Sequence, residues 1–176
     1  MLEALSSKLA RSIKNANPEE TASIEVLNYA INIVLNPLAI FLLASAAGLL
    51  IGKFQEVLLF LVFFPMLKVF SGGRHLKSSS YCVLLTTAVA VAVSFADFPA
   101  LWNHILTGIS LLLVLLFAPF STKKTTLIPE KYNPLLKIIS ALVVCSNFFI
   151  GSSVIGAAFF LQAVSLINFR KGGGEQ

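Results

Sequence analysis

The stretch of sequence that decides the fold is VLNYAINIVLNPLAIFLLASAAGLLI, residues 26–51, which contains no charged residue. A helix needs roughly 20 predominantly apolar residues to cross a bilayer, so this stretch is long enough to form a transmembrane helix. Asn28, Asn32 and Asn36 recur every four residues and therefore share one face of that helix. Because amides are costly against lipid, we expect this stripe to face protein.

The composition of the whole chain extends this interpretation. Of its 176 residues, 57% are hydrophobic and only 12% are charged, whereas a soluble domain is about a quarter charged. We predict an all-α, polytopic membrane protein with about four to six transmembrane helices, some of them short or re-entrant. We expect one integral membrane domain over residues 1–170 and a disordered tail over residues 171–176. Further apolar runs cover residues 57–70, 81–95, 101–120 and 135–169, the last of which is broken by Gly151-Ser152-Ser153.

The N-terminal segment has a different pattern. Its apolar residues recur at spacings of three and four with basic residues between them, which predicts an amphipathic helix over residues 1–15 in the membrane interface. Asn17-Pro18-Glu19-Glu20 is typical of a helix start and predicts that the next helix begins there. The apolar face comprises Leu2, Leu5, Leu9 and Ile13, and the basic residues are Lys8, Arg11 and Lys14.

The distribution of basic residues predicts the orientation of the protein. With six crossings and a cytoplasmic N-terminus, every lysine and arginine except Lys53 falls in a cytoplasmic segment. Basic residues collect on the cytoplasmic side of membrane proteins, so we expect both termini and the loop over residues 71–80 to be cytoplasmic. A four-span protein with two re-entrant segments would have the same sidedness.

The densest group of reactive side chains lies in and beside that loop, in FSGGRHLKSSSYC, residues 70–82. His75 and Cys82 are seven residues apart, so they would share one face if this stretch were helical. A cysteine protease needs a thiolate and a nearby base that forms it. Taken alone, the spacing also fits an interfacial histidine and a small packing cysteine.

The neighbours of this pair are candidates for substrate binding. Gly72 and Gly73 would allow an extended peptide to approach the backbone closely. Arg74 and Lys77 would add positive potential, which favours a thiolate.

Other polar residues have less specific interpretations. Lys123 and Lys124, in the loop over residues 121–137, either mark the cytoplasmic side or attract an acidic peptide tail. Cys145 is expected to be a packing residue, and His104 an interfacial one. Two cysteines and two histidines without Cys-x-x-Cys spacing do not indicate a metal site, and nothing indicates a cofactor or a nucleic-acid partner.

The stretch over residues 70–82 resembles the accessory gene regulator B (AgrB) family, membrane endopeptidases of bacterial quorum sensing. That family has a Gly-Gly-x-His run followed by a cysteine seven residues after the histidine, and Gly72-Gly73-Arg74-His75 and Cys82 match it. Residues 25–29 with the following asparagines resemble the family's first helix. Phe117-Ala118-Pro119 and the lysine-containing loop after it resemble a later cytoplasmic loop, so the resemblance covers most of the chain.

The resemblance implies a cysteine endopeptidase of the bacterial cell membrane with its active site on the cytoplasmic side. Its substrate would be an AgrD-like propeptide, from which Cys82, activated by His75 as general base, would release a C-terminal tail. An acyl-enzyme on Cys82 would then allow a thiolactone or lactone ring to form. The implied partners are the propeptide and the lipid bilayer, and a homo-oligomer such as a dimer stays open.

A second class of function is compatible with the same residues. A non-enzymatic small membrane transporter, or a component of peptide export, would use the asparagine stripe to line a path. A transporter would tolerate a thiol-to-hydroxyl change at Cys82, whereas a cysteine endopeptidase would not.

Overall fold

The computed structural model of the chain describes residues 2–73, 78–119 and 130–170, which fold into seven α-helices and one short 3-10 turn. The predicted all-α membrane fold is therefore confirmed. The tail over residues 171–176 lies outside the described residues. The helices are α1 (Leu2–Ala16), α2 (Ile24–Leu50), α3 (Phe54–Ser71), α4 (Ser79–Val93), α5 (Ala100–Phe117), α6 (Asn133–Ile150) and α7 (Ser153–Arg170), and the 3-10 turn is Glu130–Tyr132.

The helices suited to crossing a membrane agree with the predicted range. Within the described part of the chain, α2, α3, α5 and α6 are long and apolar enough to span, and α4 and the Ser153–Ile167 segment of α7 are apolar but shorter. Gly151 ends α6 in the left-handed conformation, with a φ of 71°. The last apolar run is thus divided into two helices, as its glycine and serine residues indicate.

The amphipathic N-terminal helix is confirmed as α1. Its small residues Ser6 and Ala10 are fully buried, and the helix packs on α2 and α4. Leu5, Leu9 and Ile13 are instead 40–47% exposed. This apolar face is the one that would meet acyl chains in an interfacial helix, and the placement of α1 in the interface stays a prediction.

The predicted start of the second helix is wrong. Residues 17–20 form a turn after α1. Lys14 stabilises this turn, because its Nζ donates to the carbonyls of Pro18 at 2.7 Å and Thr21 at 2.8 Å. The cap is instead Ser23, whose Oγ accepts a hydrogen bond from an N–H of the first turn of α2 at 3.4 Å. The capping signal of residues 17–20 is therefore used in a turn rather than in a helix.

Two clusters of buried apolar side chains form the core. One lies among α3, α5, α6 and α7 and includes Leu67, Val144 and Phe159. The other lies among α2, α3, α4 and α7 and includes Phe60 and Ala90. Since α3 and α7 contribute to both clusters, they form the centre of the bundle.

A buried polar cluster joins α5, α6 and α7. Asn147 Nδ2 donates to Asn103 Oδ1 at 3.3 Å and to Thr107 Oγ1 at 3.0 Å, and Asn147 Oδ1 accepts from the Ser152 N–H at 3.1 Å. Gly156 of α7 lies so close that a Cβ there would overlap Asn103 Oδ1. Small residues at helix interfaces and amides that bond across them are the usual contacts between membrane helices.

Candidate functional site

The asparagine stripe of α2 faces protein, as the sequence predicts. Asn32 Nδ2 donates to Ser6 Oγ of α1 at 2.9 Å, and Asn32 Oδ1 accepts from Ser79 Oγ of α4 at 3.3 Å. Asn28 contacts Asn32 within the same helix, and Asn36 contacts α4 one turn further along. The stripe therefore joins three helices.

The first residue of α4 is held by a residue that the sequence does not single out. The Ser79 N–H donates a hydrogen bond to Glu3 Oε1 at 3.0 Å, which pairs one of the N–H groups that a helix start leaves without an intrahelical partner. The carboxylate also complements the partial positive charge at this end of the helix. The two residues are 76 positions apart in the chain, so no local pattern reveals the contact.

Cys82 lies in the first turn of α4, as its fourth residue, and is only 7% exposed. Its N–H donates to the Ser78 carbonyl at 3.1 Å, so the helical hydrogen-bond pattern begins here. Asn36 Nδ2 lies 3.7 Å from Cys82 Sγ and donates a hydrogen bond to it. A helix start and an amide donor both favour a negative charge on sulfur.

Cys82 lines a cavity of about 180 Å³ between α3, α4 and α7. Its lining combines polar side chains, one of them cationic, with apolar side chains. Lys68 Nζ lies over the Phe64 ring, 5.9 Å from its centroid. The polar lining is Lys68, Gly73, Thr86, Gln162 and Ser165, and the apolar lining is Phe60, Phe64, Leu85 and Val89.

A glycine pair follows α3, and its second member, Gly73, borders this cavity. Gly72 and Gly73 have φ values of 82° and 140°, a region that side-chain-bearing residues rarely adopt. Gln162 Nε2 donates to the Gly72 carbonyl at 2.9 Å and to Ser71 Oγ at 3.1 Å, which holds the turn against α7. The glycines are therefore required by the backbone, and their contact with a substrate stays a prediction.

Gln162 is a site residue that the sequence analysis missed. It is 1% exposed and lies in the middle of an apolar helix. Ser165, one turn later, donates from Oγ to the Gln162 carbonyl at 2.6 Å and also lines the cavity. The signal that would have found Gln162 is a strongly polar side chain inside a membrane helix, because such residues pair with other polar groups or serve function.

Several predicted site residues fall outside the described residues. Arg74, His75 and Lys77 belong to residues 74–77, and Lys123 and Lys124 to residues 120–129, none of which is described. Their roles stay predictions.

The condition under which the seven-residue spacing would place His75 and Cys82 on one helical face is not met. Ser78 is extended, with a φ of −107° and a ψ of 124°, and α4 begins only at Ser79. The extended residue is the helix cap, so a single helix does not run from His75 to Cys82. The pairing of His75 with Cys82 stays a prediction.

The second histidine and the second cysteine lie on other helices. His104 of α5 stacks on the Phe148 ring with centroids 5.9 Å apart, and Cys145 of α6 is partly buried. Neither residue lines the cavity beside Cys82. Cys145 therefore serves as the natural control for Cys82.

These features define a class: a small polytopic helical membrane protein with a buried cysteine at the start of a short apolar helix, beside a cavity lined by both polar and apolar residues. The family model for accessory gene regulator B matches residues 6–169, so the chain belongs to the AgrB family.

Individual relatives agree with this assignment. An AgrB-like protein of Halalkalibacterium halodurans is 40% identical over 121 residues, which cover 68% of this chain and 61% of that protein. An AgrB-like protein of Lactiplantibacillus plantarum is 29% identical over 184 residues, covering 98% of this chain and 92% of the relative. The match thus spans less than two thirds of the first relative and nearly all of the second. No solved structure matches the chain.

Proposed function

We propose that this chain is a membrane cysteine endopeptidase that cleaves the C-terminal tail from an AgrD-like propeptide through an acyl-enzyme on Cys82. Membership of the AgrB family supports a part in quorum-sensing peptide processing. The observation that carries the cysteine mechanism is the position of Cys82, at a helix start, within reach of an amide donor and open to a cavity. A packing cysteine has no need of these three features together.

The first step forms the acyl-enzyme. His75 removes the proton from the Cys82 thiol, and the thiolate attacks the carbonyl carbon of the scissile peptide bond. The carbon–nitrogen bond then breaks, the proton passes from His75 to the leaving amine, and the tail departs. The rest of the propeptide is left as a thioester on Cys82.

The second step closes the ring. A thiol or hydroxyl of the bound peptide loses its proton to His75 and attacks the thioester carbonyl, which releases the Cys82 sulfur. The product is a thiolactone or a lactone, and the proton returns from His75 to the sulfur. Cyclisation is faster than hydrolysis only if water is kept from the thioester. The low exposure of Cys82 limits the access of water.

The cavity beside Cys82 restricts how the peptide binds. Its volume of about 180 Å³ is below the roughly 300–1,000 Å³ of ordinary small-molecule sites. It therefore suits a single side chain next to the scissile bond. The rest of the propeptide would lie along Gly72 and Gly73, with Arg74 and Lys77 beside it.

Basic residues would attract the tail that is released. An acidic tail would be attracted by Lys123 and Lys124 on the cytoplasmic side. The described residues add Lys68, which lines the cavity itself. In this arrangement the active site and both termini face the cytoplasm.

The transporter alternative needs a polar path along the asparagine stripe. Asn32 instead bonds to Ser6 and Ser79, and Asn36 bonds to Cys82. These amides hold helices together and contact the sulfur, which favours the endopeptidase.

The test compares single variants in cleavage of a propeptide. Cys82→Ala should release no tail, and His75→Ala should slow cleavage on the order of a thousandfold, with no further loss in the double variant. Cys145→Ala should cleave at nearly the wild-type rate. Propeptide cleavage by Cys82→Ala would refute the proposal.

A second measurement looks for the intermediate. A precursor that lacks its internal nucleophile should leave an adduct on Cys82 that mass spectrometry detects. Hydroxylamine should release the adduct, because it attacks thioesters. An adduct on Cys145, or none in a protein that still cleaves, would contradict the acyl-enzyme.

A further inference from the structure

We propose that Asn36 is a third catalytic residue, whose side-chain amide donates a hydrogen bond to the thiolate of Cys82 and holds the sulfur in place for attack. This inference rests on the proposed function, because it assigns a role within the same site. It concerns a residue that neither the Gly-Gly-x-His pattern nor the cysteine spacing contains.

The contact between the two helices carries the argument. Asn36 Nδ2 lies 3.7 Å from Cys82 Sγ, across a separation of 46 residues. Sulfur is large, and 3.7 Å is within hydrogen-bond reach for a sulfur acceptor. A neutral thiol is a weak acceptor, whereas a thiolate is a strong one. The donor therefore stabilises the charged form much more than the neutral form, as a catalytic cysteine requires.

The surroundings make that donor important. Cys82 is 7% exposed, so few water molecules reach the sulfur, and an apolar setting disfavours the thiolate. Phe60, Leu85 and Val89 line the same cavity. An oriented amide next to the sulfur and the start of α4 replace the water that the thiolate would otherwise bind.

The second feature is the carbonyl oxygen of the Asn36 side chain. Asn36 Oδ1 is buried and has no hydrogen-bond partner among the described residues. A buried acceptor without a partner is costly in a membrane helix and is tolerated where function needs it. A half-turn of the amide group would present Oδ1 to the sulfur, where it would accept from the S–H of the neutral thiol. The same side chain can therefore pair with either protonation state.

The simpler interpretation is that Asn36 only holds α2 and α4 together. Asn32 of the same stripe illustrates that role, because its contacts join α1, α2 and α4 without touching the sulfur. The two roles differ in one property. A purely structural amide changes stability, whereas a thiolate donor changes the pH at which Cys82 becomes reactive.

The experiment measures the rate at which methyl methanethiosulfonate modifies Cys82 as a function of pH. It uses the full chain in detergent micelles, in a Cys145→Ala background, with mass spectrometry as the readout. The variants are Asn36→Leu, which removes the donor, and Asn36→Asp, which keeps the shape and adds a negative charge. Asn28→Leu is the matched control on the same face of α2.

We expect Asn36→Leu to move the midpoint of the pH–rate curve upward and to slow modification near neutral pH about tenfold, because a hydrogen bond to an ionised group shifts its ionisation by about a decade. Asn36→Asp should slow it further, since like charges repel. Asn28→Leu should leave the curve unchanged. Propeptide cleavage should fall with thiol reactivity in both Asn36 variants.

Only variants that elute like the wild-type protein, and are therefore folded, are compared. One folded Asn36 variant is sufficient for the test. A folded Asn36 variant with a wild-type pH–rate curve would overturn the role of Asn36 and leave the endopeptidase proposal intact. Cleavage by Cys82→Ala would instead overturn the endopeptidase, whatever the reactivity of the thiol.

Discussion

Replacing Asn32 with leucine should weaken the junction between α1, α2 and α4 by about 1 kcal/mol, because hydrogen bonds between membrane helices average about 0.6 kcal/mol each. Asn32 makes two such bonds, to Ser6 Oγ at 2.9 Å and from Ser79 Oγ at 3.3 Å. Leucine is larger than asparagine, so the substitution leaves no cavity that would add to the loss. Ser6 keeps its bond to the Glu3 carbonyl at 3.0 Å, so its buried hydroxyl still has a partner.

The assay is unfolding of the purified protein in mixed micelles by increasing sodium dodecyl sulfate, followed by circular dichroism. Asn28→Leu is the control, because within the described part of the chain its amide contacts only Asn32 of its own helix. A double-mutant cycle between Asn32→Leu and Ser79→Ala should give a coupling of about 0.6 kcal/mol. If Asn32→Leu destabilises no more than Asn28→Leu, the reasoning from interhelical hydrogen bonds is refuted.

Three further predictions concern other parts of the fold. Glu3→Gln should destabilise α4 by about 0.3–1 kcal/mol in the same unfolding assay, because a charged partner is lost from its N-terminus; an unchanged stability would contradict that contact. Gly156→Ala should destabilise the protein by about 1–3 kcal/mol through overpacking. Gly108→Ala is the control and should be neutral or stabilising, because a Cβ there meets no atom within 4 Å. Similar effects at both sites would rule out the close approach at Gly156. In a background without native cysteines, Lys77→Cys should resist an impermeant thiol reagent in intact cells and react after permeabilisation, and labelling from outside would reverse the orientation.

The apolar runs were sufficient to predict the class of fold and most of its elements. A stretch such as residues 26–51 has no stable environment except lipid and other apolar helices, so it becomes the helix Ile24–Leu50. The asparagine stripe followed for the same reason, since period and polarity are local properties of one helix. The start of α2 did not follow, because Lys14 donates to the carbonyls of Pro18 and Thr21 and the capping signal is used in a turn.

The candidate site was predicted only in part. Cys82 was identified by its residue type and by the resemblance of its surroundings to a family pattern. Asn36, Gln162 and Glu3 were not assigned to it, because each contacts the site across at least 46 residues of chain. The spacing from His75 to Cys82 would place both residues on one face only in a continuous helix, and Ser78 is extended.

The sequence by itself determined that this protein is a helical membrane protein with a cysteine at the edge of a polar segment. Hydrophobicity and helical period depend on neighbouring residues, and they act whether or not the rest of the chain is present. Only the tertiary structure decided which amide contacts the Cys82 sulfur, which carboxylate holds the start of α4 and which glutamine borders the cavity. Those choices depend on how α1, α2, α4 and α7 pack together, and packing is a property of the whole bundle.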